Sequence, residues 1–137
     1  MQKTVLTIIL VIITTFAIAQ NKQHKIVFDL SSGDTAIQST VLRQFNNTLE
    51  AAPNTILEMV CHGQAINILV KNKMFFENRM SELKSKGTVY FKVCANSMKR
   101  LNVDKSELSS IAEIVPVAIL ELSEKQMEGW SYIKAGH

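Results

Sequence analysis

The chain reads as an α/β protein, a three-layer α/β/α sandwich on a mainly parallel five-stranded sheet. Three observations predict it. Short apolar runs alternate with stretches of helical periodicity along the chain. Those runs are continuous rather than alternating, as expected for strands covered on both faces. The connections between them are short, and no long structureless loop intervenes.

Each element has its own justification. IVFDL, Ile26 to Leu30, is the first strand, and SSGD supplies a turn with N-cap candidates at Ser32 and Asp34. From Thr35 to Ala51 the residues Ile37, Val41, Phe45 and Leu49 recur every fourth position beside Leu42, one apolar stripe on a helix that Pro53-Asn54 ends. TILEMVC is a second strand closed by His62-Gly63. A helical region from about Ala65 to Lys86, with a break near Asn72, turns Ile66, Leu69, Val70, Met74, Phe75, Met80 and Leu83 inward, and Gly87 stops it. TVYFKVC is the third strand, and DKSE resembles a capping box that opens a short helix. AEIVP is a fourth strand, VAILELSEKQM a helix with Ile119, Leu120 and Met127 inward, and WSYIK a fifth strand. Trp130 and Tyr132 on that last strand are expected to pack in the core or at a subunit contact.

The first residues read differently. Lys3, the apolar stretch from Val5 to Phe16 and Ala17-Ile18-Ala19 before Gln20 make the three-part pattern of a cleaved export signal. The apolar part is shorter than the ~20 residues a spanning helix needs. The expected organisation is a signal peptide over 1–19, a polar leader over 20–25 and one domain over 26–134. The location would then be periplasmic or secreted, with no membrane attachment after cleavage.

The formal net charge of +3 is spread among acids, as in KNKMFFENRMSELKSK, which gives no support to nucleic-acid binding. LSSGD holds a single glycine and is not a phosphate loop, and no nucleophile elbow is present. No cofactor is indicated. Cys61-His62 and Cys94 lack the spacing of a metal site.

In a parallel sheet the strand carboxyl ends share one edge, where ligands bind. Cys61, His62 and Cys94 all fall at such ends. Cys94 stands where strand becomes helix, so the amides of Asn96, Ser97 and Met98 are expected to point at its sulfur, with Lys99 and Arg100 adding positive charge. That environment favours a thiolate able to attack sulfur or carry it as a persulfide. The alternative is a small apolar plug. His62 is a candidate proton carrier or a loop residue satisfying a carbonyl. Asn96 and Ser97 are supporting residues. Asp29 and Asp34 have the plain roles of strand-end hydrogen bonding and helix capping. A Cys61–Cys94 disulfide stays open if strands two and three are neighbours.

GTVYFKVCANSMKRLNV resembles the cysteine segment of the DsrE/DsrF-like family, the sulfur-relay proteins that include the TusD subunit. FNNTLEAAPNTILEMVCHGQAINIL and IVPVAILELSEKQMEGWSYIK are similar to that family's first helix, second strand and histidine-glycine turn, and to the closing helix and strand of its exported single-domain members. The most specific parts are Cys94-Ala95-Asn96 and Gln126, Gly129, Trp130 and Tyr132. The resemblance implies a homo-oligomer, a trimer or hexamer, and a cysteine, here Cys94, that accepts sulfur from a donor protein or small thiol and passes it on. A non-catalytic oligomeric module that binds a ligand or partner is the competing reading.

Overall fold

Five parallel strands form one sheet in the order β4-β3-β2-β1-β5: β1 Lys25–Leu30, β2 Ile56–Cys61, β3 Thr88–Cys94, β4 Ala112–Val115 and β5 Ser131–Ala135. The computed structural model describes residues 23–73 and 75–136. The export-signal segment and Met74 therefore lie outside the described residues. All five expected strands are present within a residue or two of their predicted ends, and the sheet is wholly parallel. No described helix is long and apolar enough to cross a membrane.

The helices divide unequally between the faces. Helix α1, Thr35–Ala51, is capped by Asp34, whose carboxylate accepts from the Ala36 amide. It buries Val41, Leu42, Phe45 and Leu49 against the sheet. Helix α2, Glu77–Lys86, adds Met80 and Leu83. Helix α3, Ala95–Arg100, follows β3 without a linker and contributes Met98. Together they cover one face and enclose the main core, where Phe45 packs tilted on Phe28 at 4.8 Å and stacked on Phe91 at 6.4 Å.

Among the described residues the other face is covered by one helix, α4 (Ala118–Met127), which packs Ala118 and Leu122 against Val27, Val60 and Cys94, with Trp130 at the margin.

Three expectations are corrected. The region from Ala65 to Lys86 breaks near Asn72 as expected, but its first part is not α-helical: 3₁₀ turns over Gly63–Leu69 and Lys71–Lys73 precede α2. Val70 instead bridges to Leu108 and the Ser109 amide donates to the Leu69 carbonyl, so the tight turns let the chain reach the segment before β4. Phe75 faces solvent. In α4 the inward stripe is Ala118 and Leu122, while Ile119, Leu120 and Met127 are exposed at 63, 57 and 85 %. That helix is apolar on more than one side, so periodicity did not discriminate. The DKSE box, in contrast, forms as expected: Asp104 accepts from the Ser106 amide and Glu107 from the Asp104 amide.

Candidate functional site

Alternation along the strands decides which residues meet. Cys61 pairs in register with Val93, so Cys94, one residue on, points to the opposite face. Cys61 lies wholly within the main core, where burial pushes its thiol far above the ordinary range. Cys94 lies on the α4 face and lines a cleft of about 300 Å³. The strands are neighbours, yet the sheet itself separates the sulfurs, and no disulfide links them. The expected grouping of Cys61 with the site is therefore corrected: it is a core residue.

The cleft is lined by His62, Cys94, Asn96, Ser97, Arg100, Val117, Ala118 and Ile119. The residue is 4 % exposed, and burial works to raise its thiol pKa. Hydrogen bonding outweighs it. The Ala118 amide donates to Sγ at 3.4 Å, and the amide and hydroxyl of Ser97 and the amide of Asn96 also favour the charged form. The net effect holds Cys94 below the ordinary thiol range. The expected amides of Asn96 and Ser97 thus act on the sulfur, although Cys94 makes no full side-chain cap bond to its own helix and Met98 adds nothing. A further donor comes from α4, a different crossover, whose first residue Ala118 turns its amide to the sulfur.

Ser97 ties this centre to the turn after β2. Its hydroxyl oxygen accepts from the Gly63 amide at 2.9 Å. Gly63 has φ +56°, and an added Cβ would sit 3.3 Å from the Ser31 carbonyl oxygen, so glycine belongs there. Lys99 and Arg100 lie in the last turn of α3. Arg100 reaches the cleft wall, whereas Lys99 does not line it.

His62 carries a partner that sequence reasoning missed. Its Nε2 lies 2.7 Å from Asp29 Oδ1, and the Tyr132 hydroxyl donates to Asp29 Oδ2, also at 2.7 Å. A carboxylate only accepts, so Nε2 carries the proton, and Nδ1 has no hydrogen-bond partner among the described residues. Asp29 is thus an orienting residue rather than a plain strand-end one. Tyr132, expected in the core or at a subunit contact, is 40 % exposed and so is not a core residue, and the bond to Asp29 pushes its phenol up to about 12. The only available signal was period two: Val27 and Asp29 share a face, and Val27 pairs in register with Tyr132. Among the described residues no group of three or more His, Cys, Asp or Glu side chains could hold a metal ion.

A sequence profile of the DsrE/DsrF-like family matches residues 12–135. The chain belongs to the DsrE/DsrF-like family. No curated protein matches it. Among solved structures, a protein of unknown function, MTH1491 from Methanobacterium thermoautotrophicum, superposes with a TM-score of 0.76 at 22 % identity, covering 82 % of this chain and 99 % of that one. The ychN protein from E. coli does so with a TM-score of 0.67 at 13 % identity, with the same coverage. At these identities the likeness is one of fold, and it agrees with the three-layer sandwich.

Proposed function

We propose that this DsrE-like protein handles sulfur, with Cys94 as the thiolate that accepts it. The observation that carries the reading is the Ala118 amide on Cys94 Sγ at the wall of an open cleft. In the step envisaged, the Cys94 thiolate attacks the outer sulfur of a donor persulfide. A new S–S bond forms, the donor's S–S bond breaks, and the donor leaves as a thiolate. Cys94 then bears a persulfide, and attack by an acceptor thiolate on its outer sulfur returns the starting thiolate, so no external oxidant is consumed. His62, held by Asp29, keeps Nδ1 available to take or return the proton that accompanies each thiol's ionisation. The donor and acceptor are proteins or small thiols. Export to the periplasm or exterior and assembly into a trimer or hexamer belong to the same proposal.

Incubating the purified protein with a persulfide donor and weighing it intact tests the reading. One added sulfur atom that disappears in Cys94→Ala supports it. No addition, or addition that survives Cys94→Ala, overturns it.

A second reading has its own support. Cys94 is only 4 % exposed, and the apolar Ile119 on the same cleft wall stands out at 63 %. A ligand- or partner-binding module without sulfur chemistry would look similar. It predicts an alkylation rate at Cys94 that follows an ordinary thiol titration.

A further inference from the structure

Beneath α4 lies a buried acid that the cleft chemistry does not use. Glu58 is in the central strand β2 and is 1 % exposed. Its Oε1 has no hydrogen-bond partner among the described residues. A charged carboxylate in that position would be strongly disfavoured unless paired.

Its surroundings are mixed. From α4 come Glu121, within hydrogen-bonding reach of the Glu58 carboxyl, and Lys125. Lys125 is itself shared, 3.7 Å from Glu121 and 3.4 Å from Glu128, with its ammonium 5.0 Å above the Trp130 ring. From β3 come Tyr90, in register beside Glu58, and Lys92, which is bonded to Glu113 of β4. On β1 the register neighbour is the apolar Val27. Two carboxylates thus face one another over one shared ammonium and a second that is already committed.

The consequence reaches Cys94 through α4. The first residue of that helix, Ala118, supplies the amide on the sulfur, and Glu121 stands one turn further along. We propose that a proton shared between Glu58 and Glu121 holds α4 against the sheet, and that this contact positions the Ala118 amide on Cys94. Both glutamates are positioning residues, acting on the thiol through the helix.

Burial, then the charge of Glu121, raises the Glu58 pKa to about 7, which puts the loss of that proton near neutrality. Below that point the helix is clamped and the sulfur keeps its donor. Above it, like charges meet under α4, the amide contact loosens and the thiol returns toward ordinary behaviour. The device requires Cys94 to be an ionisable thiol, whether or not it carries sulfur.

Alkylation of Cys94 by iodoacetamide and Trp130 fluorescence, measured against pH in the wild type and Glu58→Gln, form the test. Glutamine is nearly isosteric, stays neutral and can still donate to Glu121. The chain's single tryptophan packs on the same cluster as α4 and so reports the contact directly. Glu58→Gln is expected to raise the alkylation rate about threefold to tenfold near pH 8 and to leave it unchanged near pH 5.5, where Glu58 is already protonated. The wild-type fluorescence should show a transition near neutrality that Glu58→Gln removes. Equal rates for wild type and Glu58→Gln at both pH values, or a fluorescence transition that survives the substitution, overturn the proposal. Because neither readout involves sulfur transfer, a protein that fails to take up sulfur leaves this test standing.

Discussion

Cys61 and Cys94 end neighbouring strands one position out of register, and they have opposite fates. Cys61 points into the thick face, among Phe28, Leu30, Ile66 and their neighbours, where its thiol stays protonated. Cys94 points into the thin face, where α4 leaves a cleft and lends an amide to the sulfur. One residue of strand is the whole difference. A sheet offers two environments at every position, and chemistry settles on the less filled one because packing on the other leaves no room for a reagent.

The largest expected effect tests that contrast directly. Under native conditions near pH 7, iodoacetamide should label Cys94 at least about a hundredfold faster than Cys61, read by peptide mass mapping. Comparable rates would mean that the two environments are not distinct.

The faces should also differ in what they contribute to stability. Phe45→Ala on the thick face should cost about 4 kcal/mol, and Leu122→Ala on the thin face about 2 kcal/mol, both by denaturant unfolding. An equal loss at both sites would make the thin layer as integral to the fold as the thick one.

Glu58 adds a pH dependence specific to the thin face. Its folded pKa of about 7 is raised from 4.5, so its stabilising contribution is complete below about 4.5 and is lost as pH rises through about 7. Stability should fall by roughly 3 kcal/mol across that window, with the slope absent in Glu58→Gln. A fall confined to more alkaline pH would point to another group. The smallest effect is expected at the edge of the thick face. Asp34→Ala removes the cap of α1 and should cost about 1 kcal/mol, with no change in the alkylation rate of Cys94.

The strands were legible because Ile26–Leu30 and Thr88–Cys94 are apolar runs broken only by Asp29 and by Thr88 and Lys92, and α1 was legible because Val41, Phe45 and Leu49 repeat every fourth residue. The position of Cys94 at a strand end was legible for the same reason, but whether its sulfur meets a cleft or packs as a plug was not. Asp29 was not, because nothing local distinguishes an orienting carboxylate from one that merely ends a strand. Its two partners lie 33 and 103 residues away. The inward side of α4 was also hidden, since Ile119 and Leu120 look as core-forming as Leu122 until the sheet chooses a face.

By itself the sequence determined the α/β class, the five strands and the one edge on which Cys61, His62 and Cys94 end. Backbone periodicity is a local property, written residue by residue. Only the tertiary structure decided which cysteine shares a face with His62, which amide reaches its sulfur, and that Glu58 lies under α4. Those relations depend on strand order and on which crossover returns to which face, and both follow from packing between segments far apart in the chain.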